Sequence, residues 1–532
     1  MNQESKSVKY EYNDILGSIL GRIQIQYRIT FFTGLFVGCI THLFMLTNKL
    51  PNWDDITNMD GTGSGSFLGR WFLRYIHSLG GDANAPATHG FLMILLLSLS
   101  ACIVVRILEL KNLSSLVITA SVMVTFPSVA CIMSFMFMAH TSALAIFMNC
   151  FAVYCLRRWK YGFIGTICLI VCSLAIYQSY VSVAIALVLM GMITDCIHEK
   201  EGKQVAFTGI KSAVTLIISV PIYMLISYIY YPGIFDSEYG GVGEMGQMTP
   251  TEMLIQAGRA YKRFIEYFVF KPLAFVSPTM RVTNTLICVA AIVLFVLIII
   301  RKRLWKDRLN LVVFCLSCFF MPMAVAFVYF MAPKVPYSML MLYAYCFVYV
   351  LVAALLENLP KSNVKEDDLS KVSYLCSCVL SVAVITVLLI NCYTGYLITN
   401  KAYYRSYVAY ERVVNYYNRL IAEVEKTDGY KYGDSVFIGG DFYYVDDPAP
   451  IEMDFEDSEN LRSLDGISFE NGMITAGVRK EFVETYIGFP MGSFSFEDEE
   501  KIVNSSEYKK MPVYPEKGCV KRIDDVWVIK IN

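Results

Sequence analysis

Runs of about 20 apolar residues recur along most of this chain, and that is the length an α-helix needs to cross a bilayer. They begin near Tyr27 and end near Asn400, separated by links that are polar or basic. No water is available in a hydrocarbon core, so each run must satisfy its own backbone N–H and C=O groups, and a helix does this. The runs fall at residues 29–46, 88–105, 113–133, 136–156, 161–197, 207–230, 284–300, 309–331, 338–356 and 373–398. The block 161–197 is too long for one span. It breaks at Tyr177-Gln178-Ser179-Tyr180 and is read as two short spans with a bend. The expected fold is an α-helical polytopic membrane protein of about 11 transmembrane helices.

Basic residues favour the cytoplasmic side of short links. With the N-terminus inside, the inner links are 106–111, 157–160, 198–203, 301–308 and 361–371, and these are the basic ones. Counting 161–197 as a single span would put the Arg301-Lys302-Arg303 cluster outside. The expected organisation is a cytoplasmic segment 1–26 and a transmembrane domain 27–400 with large outer loops 48–87 and 232–283. A small α+β domain, 401–532, follows on the outer side. In that last part residues 403–426 have helical periodicity and 435–439 read as a strand. Residues 520–531, centred on Asp524-Asp525, read as a hairpin. The acidic run 454–459 reads as solvated surface, and 15–25 and 252–269 as amphipathic helices.

Composition matters here mainly for what it excludes. Of 532 residues, 56% are hydrophobic and 17% charged, with a net charge of −1, and mean hydropathy is +0.49. No basic stripe offers a nucleic-acid surface. The 16 cysteines lie almost wholly within apolar runs, and the C-terminal polar region holds only Cys519, so no disulfide framework is implied there.

The first outer loop concentrates the chemistry. It carries Asp54, Asp55 and Asp60, a Gly/Ser run from Gly61 to Ser66, then Gly69-Arg70-Trp71 and a short amphipathic stretch with Arg74 and His77. Asp, Asn and Gly are ordinary turn residues. A loop of this length, however, is uncommon unless functional or disordered, and Trp53, Phe67, Trp71, Phe72 and Tyr75 suit an interface. Other outer links add His140, Gln178, Tyr180, Lys271, Arg281 and Lys334. Ionisable groups at membrane depth are costly and usually functional. Each also has a plain structural reading: His140 as a packing residue, Gln178 as a stabiliser of the bend, Lys334 as a snorkelling side chain.

A carboxylate facing a hydroxyl can serve as general base, and an arginine or lysine can hold a phosphate as it leaves. That pairing suits sugar transfer from a lipid phosphate to an acceptor hydroxyl. No phosphate-binding glycine loop lies between a strand and a helix, and no His-x-x-x-His or Glu-x-x-His metal pair occurs. A divalent cation shared by Asp54 and Asp55 is the one cofactor the pattern permits.

Asn52-Trp53-Asp54-Asp55, Gly69-Arg70-Trp71 and Ile176-Tyr177-Gln178-Ser179-Tyr180, in this order, resemble the bacterial membrane glucosyltransferase family that modifies O-antigen and related surface polysaccharides. That family belongs to the GT-C superfamily, and the resemblance covers about residues 25–400. It implies a polyprenyl-phosphate-linked glucose donor, a polysaccharide acceptor and work on the outer face of the bacterial cytoplasmic membrane. The catalytic acid of the first outer loop falls on Asp54 or Asp55, with Asp54 favoured. Arg70 is then either a donor-phosphate contact or a partner that fixes the loop, Lys334 a second candidate for the phosphate, and His140, Gln178, Tyr180, Asp60 and Trp71 further substrate contacts. Single displacement from a β-linked donor would invert the anomeric carbon. Two other readings stand beside this one. A polymerase or ligase using lipid diphosphates would be expected to show more outer arginines. A transporter of lipid-linked sugars would be expected to show paired broken helices in both halves.

Overall fold

The computed structural model describes residues 17, 21–59, 68–77, 81, 84–236, 249–270, 277–331, 338–359, 368–440 and 478–531. In chain order the helices of the membrane part are α1 (Ile25–Thr47), α2 (Trp53–Thr57), α3 (Leu73–His77), α4 (Pro86–Ile107), α5 (Leu113–Thr125), α6 (Pro127–Met133), α7 (Met136–Arg158) and α8 (Gly162–Leu174). A 3₁₀ turn, Gln178–Tyr180, leads into α9 (Val181–Ile197), followed by α10 (Gly202–Tyr230), α11 (Pro250–Ile265), α12 (Pro278–Lys302) and α13 (Arg308–Val325). Another 3₁₀ stretch, Met339–Tyr345, precedes α14 (Cys346–Glu357), and α15 runs from Asp368 to Glu425. Among the described residues nine helical stretches are long and apolar enough to cross a membrane. The bent pair α5–α6 and the shorter α8 add to them. The chain is a helical membrane protein, as its apolar runs require.

Helices α7, α9 and α14 form the buried centre, while α10, α12 and α15 turn most of their apolar residues outward. Outward-facing Phe207, Ile210, Ile217 and Leu225 on α10 are what lipid contact demands. Lipid tails are as apolar as leucine, so helices associate through close packing instead. Gly34 and Gly38 on α1 lie against Ser98 and Ile94 of α4, where an added Cβ would collide.

Three spans are broken, and the breaks meet. Pro127 forces Phe126 out of the helical region, and α5 and α6 bend by 40° there. Helix α8 stops at Ala175, and the chain restarts at Gln178. The 3₁₀ stretch before α14 packs on both other breaks, with Ser128 Oγ donating to the Leu340 carbonyl at 3.3 Å. At the opposite end of the bundle the basic links are tied to one another. Asp195 accepts from Arg157 at 2.8 Å and Lys200 at 2.6 Å. Glu357 accepts from the Lys111 and Asn112 amides at 2.7 and 3.1 Å, and Asp307 from the Gly202 amide at 3.0 Å.

The C-terminal domain is α+β. Strands β1 (Val436–Gly439), β2 (Val520–Ile523) and β3 (Val526–Lys530) form a sheet in the order β1-β3-β2, with β1 parallel and β2 antiparallel to β3. Between β1 and β2 lie the short α16 (Arg479–Phe482) and α17 (Phe496–Asn504). Buried Arg479 joins sheet to helix: it donates to the carbonyls of Ile438 and Gly440 at 2.6 and 2.8 Å and to the Tyr417 hydroxyl at 3.2 Å. The expected division at 400/401 falls inside α15, a single helix of 58 residues. Hydropathy changes there, but no glycine or proline occurs between Gly395 and Gly429, so nothing stops the helix. The amphipathic segment read at 252–269 is α11 with a following π turn, Glu266–Phe270. Residues 15, 16 and 18–20 of the segment 15–25 and all of the acidic run 454–459 lie outside the described residues.

Candidate active site

Helix α2 is one turn and a half long, too short to be stable alone. Its Asn52 cap and Asp55 form a reciprocal capping box: the Asn52 side chain accepts from the Asp55 amide at 2.9 Å, and Asp55 accepts from the Asn52 amide at 3.3 Å. Asn52 also donates to the Ser134 carbonyl at 2.7 Å. Asp55 is wholly buried. It accepts further bonds from Asn84 Nδ2 at 2.6 Å and from the amides of Phe137 and Met136 at 3.0 and 3.4 Å. This carboxylate therefore ties the loop after α1 to the first turn of α7. Burial pushes Asp55 up, and the Lys49 charge and its donors pull it back. Each of these hydrogen bonds is donated to it, which fits an ionised carboxylate.

Asp54 is different. Its main-chain carbonyl accepts from Asn58 and Thr57, but among the described residues no hydrogen bond engages its carboxylate. It is half-buried. Burial and the neighbouring Asp55 charge raise its pKa, and Arg70 counters them. A carboxylate with a raised pKa and open oxygens has the character of a general base.

Arg70 is brought opposite by a tightly specified turn. Gly69 has φ +73°, and a Cβ there would collide with the Tyr223 hydroxyl and Ile234, so only glycine fits. Gln178 Nε2 donates to the Leu68 carbonyl at 2.7 Å and to the Tyr223 hydroxyl at 2.8 Å. The Phe72 and Leu73 amides donate to the Ala175 carbonyl at 3.1 and 3.3 Å, a group the end of α8 would otherwise leave unpaired. The loop thus plugs the break between α8 and α9. The Arg70 guanidinium lies over the Tyr177 ring, 4.5 Å from its centroid. Its Nε is buried without a hydrogen-bond partner among the described residues. Trp71 is buried and stacks on Tyr230 with centroids 5.4 Å apart and planes 8° apart.

The other expected residues sort by position. Tyr180 is fully buried beside Tyr177, with ring centroids 5.2 Å apart. His140 is buried with its ring 4.3 Å from that of His89, whose Nδ1 lies 3.1 Å from the Met136 carbonyl. Gln178 has its amide nitrogen committed to the loop and Tyr223, so it sets the geometry of the turn. Asp60, Lys271 and Lys334 lie outside the described residues. With the Asp55 oxygens engaged by donors, the pair presents one open carboxylate where a shared cation needs two. Among the described residues no three His, Cys, Asp or Glu groups gather to hold a metal.

The sequence reading did not single out Lys49, Asn84, Tyr223 or Tyr486, and it named Tyr177 only as part of a motif. Lys49 Nζ donates to the Asn84 carbonyl at 3.0 Å, and burial holds its pKa down. Tyr486, from the C-terminal domain, reaches Met59 Sδ with its hydroxyl at 3.2 Å. One signal was present in the sequence: Asn52 followed three residues later by Asp55 is the spacing of a capping box, and it separates Asp55 from Asp54.

Residues 43–356, which include this whole constellation except Tyr486, match the family model described as Glucosyl transferase GtrII. No curated protein matches the chain, and no solved structure matches it.

Proposed function

The chain belongs to the GtrII glucosyl transferase family, and from that premise we propose that it moves glucose from a polyprenyl-phosphate donor to a hydroxyl of a cell-surface polysaccharide, on the outer face of the bacterial cytoplasmic membrane. One observation carries the reading. The Arg70 charge acts on the Asp54 carboxyl, yet the two form no ion pair among the described residues, and the Arg70 guanidinium lies over the ring of Tyr177, the residue that caps the 178–197 helix. A helix N-terminus carries partial positive charge and favours anions. A guanidinium held over the capping residue, with Nε unpaired among the described residues, adds a second positive field. A donor phosphate relieves both.

In the proposed step the acceptor hydroxyl oxygen attacks the anomeric carbon as Asp54 takes its proton. The bond from that carbon to the phosphate oxygen breaks, and the lipid phosphate leaves against Arg70 and the helix N-terminus. One displacement on a β-linked donor inverts the centre. Asp55, Asn84, Gln178 and Gly69 hold the two reacting groups in place, and Trp71, Tyr180 and His140, all buried, together with Lys334 and Asp60, remain candidate substrate contacts. An apolar cleft of about 360 Å³ between α9, α10 and α13, lined by Val188, Met192, Gly209, Leu216 and Phe320 among others, offers room for a prenyl chain. The basic links gathered at the far end of the bundle support a cytoplasmic position for that end.

The test is donor choice in proteoliposomes. Labelled polyprenyl-phosphate glucose should give transfer to polysaccharide. Polyprenyl-diphosphate glucose and a nucleotide-linked glucose should not. Transfer from the nucleotide sugar alone would overturn the lipid-donor reading.

A further inference from the structure

The family match ends at residue 356, yet the helix that carries Asp54 is completed by residues far beyond it. Ile56 on α2 is 2% exposed and belongs to the apolar core of the C-terminal domain, packed with Tyr417, Phe482, Val483 and Trp527 as one cluster. Met59, just past α2, is gripped from both sides. Its carbonyl accepts from the Asn84 amide at 3.1 Å, and its sulfur meets the Tyr486 hydroxyl at 3.2 Å. Tyr486 is itself fixed by rings: it stacks on Phe482 with centroids 5.2 Å apart and meets Tyr410 of α15 edge-on at 6.1 Å.

The five residues of α2 cannot hold a helix by backbone bonds alone, because isolated helices need about 12 residues or more. The membrane part supplies one face, through Asn52 and Asp55. The opposing face is apolar and would be exposed without the C-terminal domain. Asp54 lies between these two attachments in sequence, and among the described residues its own carboxylate is bonded to neither.

We propose that the C-terminal α+β domain is part of the catalytic apparatus: its core closes over Ile56 and Met59 and fixes the helix that presents Asp54, with Ile56 and Tyr486 as positioning residues. The inference rests on Asp54 as the base. An error of about 1 Å in placing a reacting group can cost roughly 100-fold in rate, so loosening α2 acts on turnover and leaves donor binding at Arg70 in place.

The full-length protein tests this with Ile56→Val, Ile56→Ala, Tyr486→Phe and Tyr486→Leu, in two measurements. The first is amide exchange over residues 53–59, which needs no substrate. Ile56→Ala and Tyr486→Leu should speed exchange there about 10-fold or more, while exchange in α7 and α9 stays as in the wild type. Ile56→Val should restore most of the protection. The second is turnover. The same two variants should lose about 10- to 100-fold in kcat with donor KM within about twofold. Tyr486→Phe, which keeps the ring, should fall between. Unchanged exchange and unchanged kcat in Ile56→Ala and Tyr486→Leu would overturn the proposal. So would a loss confined to acceptor KM, which would make the domain an acceptor-binding surface. If Ile56→Ala does not fold, Tyr486→Leu carries both measurements. If the wild type rejects the lipid donor, that reading of the substrate fails while the exchange arm still decides this one.

Discussion

Successive residues of a helix point about 100° apart, and this small angle divides the work of Asp54 and Asp55. Asp55 turns inward to the amides of Asn52, Met136 and Phe137 and the Asn84 side chain. The Asp54 carboxylate makes no hydrogen bond among the described residues and feels the Arg70 charge. Asp55→Asn should therefore read out as stability: it places an amide among donors and lowers stability by about 3 kcal/mol or more, visible as a lower Tm. The charge around Asp54 also fixes a pH dependence. A base works deprotonated, so activity falls as pH drops through its pKa. Arg70 lowers that pKa, so Arg70→Gln should move the acidic limb of the kcat/KM profile to higher pH. A limb that moves to lower pH, or stays put, would exclude Asp54 as the titrating base. At this scale the sequence made the candidate pair legible. The difference between its members was written only in the Asn52–Asp55 spacing. Tyr177 under Arg70 was not legible, since the contact spans more than a hundred residues of chain.

Helices and their breaks explain why a loop can carry a site. The stretch after Gly69 does not float; it fills the gap between α8 and α9, where Gln178 and the Ala175 carbonyl receive it. Gln178→Leu removes both bonds from its amide and leaves the Leu68 carbonyl and Tyr223 hydroxyl without that donor. We expect a loss of about 2–3 kcal/mol in stability, together with weaker donor binding as Arg70 is released, seen as a raised donor KM. Gly69→Ala should behave alike, because alanine at φ +73° is strained and meets Tyr223. Wild-type Tm and KM in both variants would remove the plug from the account. The break at Tyr177–Tyr180 was visible in the sequence because polar residues interrupt an apolar block. Its partner was not, because a backbone carbonyl such as that of Ala175 leaves no mark on residue type. In α15 hydropathy drops near Asn400 while the helix continues to Glu425, because helical geometry does not depend on hydropathy.

The whole molecule is a helical membrane bundle with the candidate site at one end and the basic links at the other. The C-terminal domain closes over the site end through Ile56 and Tyr486. Apolar run length made the bundle readable, since a bilayer imposes it on every span. The domain's contact with α2 was unreadable, because a single isoleucine in a polar loop carries no sign of what covers it. Orientation is checked by single cysteines placed in the links at His198 and Thr57 in a background without other reactive thiols. An impermeant thiol reagent added to intact cells should label Thr57→Cys and spare His198→Cys; the reverse would invert the proposed topology. The central claim is that Asp54 takes the acceptor proton in transfer from a lipid phosphate. It is tested most directly by single-turnover transfer from labelled polyprenyl-phosphate glucose in proteoliposomes, comparing the wild type with Asp54→Asn at matched folding. The account predicts that Asp54→Asn binds the donor as the wild type does and loses about 10²- to 10⁴-fold in the rate of transfer. Transfer by Asp54→Asn at the wild-type rate would contradict it.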